Sequence, residues 1–213
     1  MTPRTSKFAR TRLFVVATLA AASTLTACVN SAQPQAELSG SPTVSASATA
    51  TPSPTPTAAY KPADAEGKAE NVPIPVLPEA AKANSKEGVE AFARYWFQAL
   101  SYAYETGDTE HWSPKTASQC VFCVSLKNGL DSGYSKGRWL VGGKMTTPSI
   151  RALYKPEAPS QQVEIQTIQD RIDYFEADGS ISQPPTPPSN SATVMIAVFE
   201  SGSWKVSDLG LIR

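Results

Sequence analysis

The sequence predicts an α+β domain, in which one long amphipathic helix and shorter helical pieces pack on a curved antiparallel sheet. Apolar and aromatic side chains recur at helical spacing from residue 84 to residue 107. Beyond Gly137 the apolar period switches toward two, which is typical of strands with one buried face. Helices first and then a run of strands is the order expected of an α+β fold.

The long helix is predicted to begin at Asn84, because Glu87 stands three residues on, as in a capping box. Gly107 is predicted to end it in the left-handed conformation. Two shorter helical pieces are expected at Asp108–Trp112 and Thr116–Leu130. The face that the long helix buries is rich in aromatic residues, which favours packing against a large core. Its members are Val89, Phe92, Ala93, Trp96, Phe97, Leu100, Ala103 and Tyr104.

Five strands are predicted after the helices. Apolar side chains change parity beyond Ile165 in the third of them, which predicts a β-bulge. Asp178-Gly179 and Ser201-Gly202 are predicted turns, whereas the proline-rich stretch Gln183–Asn190 is predicted to be an exposed loop. The predicted strands are Arg138–Thr146, Ser149–Tyr154, Gln162–Phe175, Ala192–Glu200 and Ser203–Leu211.

The N-terminal segment has the features of an export signal. Basic residues between positions 4 and 12 precede an apolar run from Leu13 to Leu25, which is shorter than the roughly 20 residues needed to span a bilayer. Leu25-Thr26-Ala27-Cys28 resembles the bacterial lipobox. That resemblance implies that residues 1–27 are removed, that the sulfur of Cys28 is acylated, and that the protein is anchored to the cell membrane on its extracytoplasmic face.

Composition divides the rest of the chain into a tether, a strap and a domain. Residues 28–59 are the lipidated cysteine and a tether rich in Ser, Thr, Ala and Pro, which has too little apolar surface to fold. Residues 60–81 are predicted to form an extended strap, whose apolar part Val72–Pro78 packs on the domain or docks a partner. Residues 82–213 are the predicted α+β domain.

Charge argues against nucleic acid as a partner. The chain has 19 basic and 19 acidic residues, and 4 of the basic ones leave with the signal segment, so that the mature formal charge is near −4. A nucleic-acid-binding surface requires clustered positive charge instead. The candidate binding partners of the domain are a small apolar ligand, an envelope glycan or a protein. The membrane is a further partner through the lipid on Cys28.

The aromatic helix ending in Tyr104-Glu105-Thr106-Gly107-Asp108 and the closing strand Trp204-Lys205-Val206-Ser207-Asp208 resemble the nuclear-transport-factor-2-like (SnoaL-like) cone fold. The order of lipobox, tether, Tyr95-Trp96 and Cys-x-x-Cys resembles a group of uncharacterised actinobacterial lipoproteins that carry a domain of unknown function. The resemblance implies a concave pocket between helix and sheet. It implies no activity, because that fold hosts enzymes, transport factors and interaction modules alike.

Cys120-Val121-Phe122-Cys123 is the constellation with the most chemical potential. Once Cys28 is acylated, an even pair remains in an oxidising compartment, which predicts a disulfide. The pair is a structural staple or, alternatively, the centre of a thiol–disulfide oxidoreductase, since a helix N-terminus lowers the pKa of a thiol. Helical sequence before the motif and Gln119 in place of a tryptophan favour the staple. A zinc site would lack ligands.

His111 is the sole histidine and would serve as the general base of an isomerase-like pocket enzyme if a pocket acid lay beside it. A partly exposed histidine at a helix end is the commoner situation. We therefore expect a non-catalytic binding module with no cofactor and no metal. The aromatic residues expected to line its pocket, each equally usable as core, are Trp96, Tyr104, Trp112, Trp139 and Tyr174.

Overall fold

The long helix α1, Lys86–Thr106, starts from a serine and ends at a glycine. In the computed structural model, which describes residues 58–212, the hydroxyl of Ser85 accepts the N–H of Gly88 at 3.0 Å. The cap predicted at Asn84 is therefore wrong by one residue. Asn84 instead accepts the hydroxyl of Tyr154 through its carbonyl at 2.9 Å. The predicted glycine cap is confirmed, since Gly107 has a φ of 79°.

Helix α2, Val121–Tyr134, begins later than the predicted Thr116–Leu130. Residues 116 and 117 are not helical, because the N–H of Ala117 donates to the carbonyl of Val206 at 2.8 Å, in the last strand of the domain. The stretch predicted as Asp108–Trp112 forms turns. Short 3₁₀ helices occupy Glu79–Lys82, Ser113–Lys115 and Ser135–Gly137.

Within residues 58–212, seven strands form two antiparallel sheets. One sheet has the order β1-β4-β5 and the other the order β2-β3-β6-β7. The strands are β1 Trp139–Gly142, β2 Met145–Ala152, β3 Gln161–Gln169, β4 Ile172–Phe175, β5 Ile181–Thr186, β6 Ser189–Glu200 and β7 Ser203–Leu211. The two helices and these curved sheets confirm the predicted α+β class.

The predicted bulge beyond Ile165 is absent from the pairing of β3 with β6, whose register is continuous from Gln161 to Gln169. The apolar residues of opposite parity are Ile168, on the other face of β3, and Ile172 and Tyr174, which belong to a separate strand. β3 ends at Gln169 in the four-stranded sheet, and β4 begins at Ile172 in the three-stranded one. The neighbouring ribbon breaks at the same level, between β1 and β2. There the N–H of Gly143 donates to Arg171 at 2.9 Å, and a Cβ on Gly142 would lie 2.1 Å from that same carbonyl oxygen. Glycine at this crossing allows the two ribbons to bend together.

The predicted loop at Gln183–Asn190 is instead parts of β5 and β6, which is a further correction. Proline fits in β5 for two reasons. β5 is an edge strand, where a missing N–H costs no ladder bond, and Pro184 and Pro185 fall in a register shift against β4. The predicted turns at Asp178-Gly179 and Ser201-Gly202 are confirmed as the connections of two hairpins.

The region predicted as a strap has two parts. Lys61 and Glu70 exchange backbone hydrogen bonds of 3.0 and 2.9 Å, which closes residues 61–70 into a turn. Residues 72–78 then run without helix or strand, with Ile74 and Val76 exposed and Leu77 packed on the core. No helix within residues 58–212 combines the length and the apolar character needed to cross a membrane. Cys28, the signal segment and nearly all of the tether lie outside the described residues.

We predict that Ser85→Ala lowers the free energy of unfolding by about 1 kcal/mol, because it removes the acceptor of an otherwise orphaned helix N–H. Asn84→Ala is the matched control at the neighbouring position, and it should change the stability much less. Urea unfolding followed by circular dichroism measures both. A larger loss for Asn84→Ala would show that the cap has been placed at the wrong residue.

Candidate functional site

A cavity of about 260 Å³ lies between the two helices and the concave face of the four-stranded sheet. α1 contributes Phe97, Leu100 and Tyr104, which share one face of the helix because they are three and four residues apart. α2 contributes Phe122 and Leu126, also four residues apart. Both helices thus turn apolar side chains toward the same space.

The sheet closes the cavity with side chains of odd number, as the two-residue period of a strand requires. Along β3 this inner face is apolar at Val163 and Ile165 and becomes polar at Thr167 and Gln169. The change is matched on the partner strand, where Ser191 lies opposite Thr167. The inner face of the sheet is therefore a packed core at one end and a cavity wall with hydroxyl and amide groups at the other.

Two polar atoms of this wall have no hydrogen-bond partner among the described residues. They are the hydroxyl oxygen of Thr167 and the amide nitrogen of Gln169, each with less than 1 Å² of accessible area. A buried polar group without a partner costs about 1–3 kcal/mol. Burial raises the pKa of the nearby Tyr104, and the side-chain amide of Gln169 beside the Tyr104 hydroxyl partly offsets that rise.

The mouth of the cavity is apolar and open to solvent. Phe122 and Leu211 line the cavity and are also exposed, Leu211 by 56%. Val121 and Val124 at the start of α2 are exposed as well, Val121 by 77%, and together with Phe122 they form an exposed apolar ridge. An exposed apolar rim around an apolar cavity is typical of a surface that binds another molecule.

The chain matches the model of a family of unknown function, DUF6318, over residues 58–210. It belongs to that family. The match begins within two residues of the predicted strap, so the family's domain includes the strap as well as the α+β core. The predicted domain of unknown function is confirmed. Comparison with curated proteins finds no match.

Solved structures of similar architecture share little sequence with this DUF6318 chain. The intermembrane space region of the chloroplast protein ARC6 is 9% identical, with a TM-score of 0.44 over 62% of this chain and 98% of that one. An uncharacterized protein with a cystatin-like fold from Caulobacter vibrioides is 17% identical, with a TM-score of 0.38 over 59% and 89%. The protein Aln2 from a Streptomyces species is 10% identical, with a TM-score of 0.38 over 59% and 88%.

The five aromatic residues predicted to line one pocket are divided between cavity and core. Tyr104 lines the helix–sheet cavity and also a second cavity of about 200 Å³, where Tyr174 joins it. Trp96, Trp112 and Trp139 are instead buried core side chains and line neither. Their indole rings, on α1, in the turns after α1 and on β1 respectively, fill volume in the core that would otherwise be empty.

The sequence prediction missed the polar side chains Thr167, Gln169 and Ser191. A signal for them was present, since Thr167 and Gln169 continue the parity of the buried Val163 and Ile165. A polar residue at an inward-facing position of a strand marks either a satisfied core group or the wall of a cavity. The parity change beyond Ile165, interpreted as a bulge, concealed that continuity.

In this chain Cys120 and Cys123 form a disulfide at the start of α2, with the two Cα atoms 5.2 Å apart. The sulfur of Cys120 caps the helix and accepts the N–H of Cys123 at 3.3 Å. Neither residue reaches solvent, since their exposed fractions are 0% and 1%. An exchange reaction requires a partner thiol to approach one of the two sulfur atoms, and this burial opposes such an approach.

His111 is half-buried in the turns after α1 and packs edge-on against Tyr102, with ring centroids 5.6 Å apart. No described hydrogen bond joins its ring to an acid, and it does not line the helix–sheet cavity. Within residues 58–212, no three His, Cys, Asp or Glu side chains are grouped as metal ligands would be.

The strap borders an open groove of about 700 Å³ against α1 and β2. Tyr60 closes one end by donating its hydroxyl to the carboxylate of Glu105 on α1, and this hydrogen bond raises the pKa of Tyr60 to about 12. Arg94 lies farther along the groove and donates to the backbone carbonyl of Thr147 at 3.3 Å. The strap is thus attached to the domain at this end.

We predict that Cys120 and Cys123 resist mild reduction in the folded protein, because both sulfur atoms lie in the core. In protein whose Cys28 is acylated, incubation with a thiol reductant and iodoacetamide should add no mass under native conditions and two alkyl groups after unfolding in guanidinium. The corresponding reduction potential should lie below roughly −300 mV, in the range of structural disulfides. Rapid native alkylation with a potential between about −120 and −230 mV would mark an exchange catalyst instead.

Proposed function

We propose that this protein is a membrane-anchored, extracytoplasmic lipoprotein whose DUF6318 domain is a non-catalytic module that binds a small apolar ligand. The observation that carries the ligand proposal is the helix–sheet cavity of about 260 Å³ beneath an exposed apolar ridge. The anchoring proposal rests on Leu25-Thr26-Ala27-Cys28 and on the apolar run before it.

The apolar ligand is favoured over an envelope glycan by the positions of the aromatic residues. Sugar rings stack on exposed aromatic faces, whereas the exposed aromatic side chains of the described residues are Tyr60 and Phe122 alone. The hydroxyl of Tyr60 is hydrogen-bonded to Glu105, and the ring of Phe122 lines the cavity. The apolar body of a ligand would instead remove the cavity wall and the ridge from water, at about 25 cal/mol for each Å² buried.

A non-catalytic role is supported by the environment of the two groups with reactive side chains. Cys120 and Cys123 are bonded to each other and buried, and they cap α2. His111 packs on an aromatic ring away from the helix–sheet cavity. The cavity itself is lined by apolar, hydroxyl and amide side chains, which bind and orient a molecule but offer no strong general base.

We predict that Cys28→Ala releases the protein from the membrane fraction, because stable anchoring requires acyl chains on that residue. Metabolic labelling with an alkyne palmitate analogue should mark the wild-type chain and leave Cys28→Ala unlabelled. Cys120→Ser is the control that retains Cys28, and it should remain labelled. Equal labelling of Cys28→Ala would overturn the lipoprotein proposal.

We predict that propylbenzene binds in the cavity of the full-length chain and shifts the methyl resonances of Leu100, Leu126 and Leu209 in NMR spectra. Ser191→Leu extends a side chain into the cavity and should weaken binding at least about tenfold, since each excluded methylene forfeits about 0.8 kcal/mol. Asn190→Leu changes the adjacent residue, which faces the other side of β6, and should leave binding intact. Unchanged methyl resonances at saturating propylbenzene would refute the cavity as a ligand site.

A further inference from the structure

We propose that the ligand of the helix–sheet cavity is an uncharged molecule with an apolar body and one hydrogen-bonding oxygen, which Thr167 and Gln169 recognise. The inference rests on the proposed ligand-binding function and adds the chemical class of the ligand. Alcohols, esters and ketones of small size belong to this class.

A ligand oxygen would give a partner to the two unpartnered atoms of β3. Both side chains line the cavity, but the two atoms themselves have less than 1 Å² of accessible area, so binding includes a rotation of both side chains toward the ligand. The amide nitrogen of Gln169 can only donate, so that the ligand atom beside it must accept. The hydroxyl of Thr167 lies two residues away on the same face of the strand, and it donates or accepts as the ligand demands. An oxygen with two lone pairs satisfies both atoms at once, which an aliphatic carbon cannot do.

The absence of charge in the ligand follows from the other residues of the cavity wall. Among the residues that line it, none is Asp, Glu, Lys, Arg or His. A carboxylate or an ammonium group would leave water there without a counter-ion, and an unpaired buried charge is far more costly than a hydrogen-bonded neutral group. The wall thus favours a neutral polar group over an ion.

The size and the orientation of the ligand follow from the volume and the mouth. At the roughly 30 Å³ that one water molecule occupies in the liquid, 260 Å³ holds about nine non-hydrogen atoms. Phe122 and Leu211 at the mouth of the cavity are apolar and exposed. The apolar body of the ligand therefore contacts these two side chains, and its oxygen lies against β3.

The experiment compares three probes of nearly equal shape, namely propylbenzene, phenylethyl alcohol and phenylacetate. Dissociation constants are measured by NMR titration of the full-length chain and of the double variant Thr167→Val, Gln169→Met. These substitutions keep the side-chain shapes and remove the hydrogen-bonding groups. Gln162→Met is the control on the same strand, because Gln162 is exposed on the opposite face.

The expected result is a change in relative affinity. The affinity of phenylethyl alcohol relative to propylbenzene should fall roughly tenfold in the double variant, since each lost hydrogen bond contributes about a 3- to 10-fold factor. Gln162→Met should preserve the wild-type ratio. Phenylacetate should bind more weakly than phenylethyl alcohol at neutral pH.

Each contrary outcome refutes a different statement. An unchanged affinity ratio in the double variant would mean that Thr167 and Gln169 do not recognise the ligand, and tighter binding of phenylacetate would refute the uncharged class. Both of those results leave the cavity as an apolar binding site. If none of the three probes binds the wild-type chain, the proposed function itself is wrong. If the double variant fails to fold, the same two affinities are compared in Thr167→Val alone. Their ratio should then fall roughly threefold, because one hydrogen bond is lost and not two.

Discussion

Three tryptophan side chains hold the irregular parts of this domain to its core, and the cavity depends on their positions. Each buries its rings and donates its indole N–H to a segment outside the regular elements. Trp96 donates to the hydroxyl of Thr116 at 2.9 Å, Trp204 to the carbonyl of Ala83 at 2.9 Å, and Trp139 to the carbonyl of Asp64 at 2.8 Å. The core thereby fixes the entries to α2 and α1 and the turn formed by residues 61–70 of the strap. Large aromatic residues combine burial with one polar contact in this way.

These contacts explain how much of the fold could be predicted. α1 and β7 were predictable because periodicity and a glycine cap are local signals, and β7 matches its predicted range. The break between β3 and β4 was not predictable from the strand itself, since a change of parity fits either a bulge or a change of sheet. Its cause is distant in sequence, in Gly142 and Gly143 on the neighbouring ribbon.

The candidate site illustrates the same limit. Aromatic residues were the natural pocket candidates, yet a large ring at an inward position contributes more by filling the core, as Trp96 on α1 and Trp112 in the turns after α1 do. The residues that remain to form a cavity are the small and polar ones, such as Thr167 and Ser191, because they leave volume unfilled. Their inward parity is a local signal, but whether an inward polar residue is a satisfied core group or part of a cavity wall depends on the distant elements that pack against it.

The disulfide connects these two themes, because it fixes the helix turn that carries Phe122 to the cavity. Cys120 caps α2 and is bonded to Cys123, so the first turn of the helix is closed covalently around Val121 and Phe122. An exposed apolar side chain such as Phe122 would otherwise gain by folding inward over the empty volume. Because a short closed loop restricts few conformations of the unfolded chain, its contribution to global stability is only about 2 kcal/mol. Its larger effect is local, since it holds the turn that carries Phe122 at the mouth of the cavity, whose inner wall includes Thr167 and Gln169.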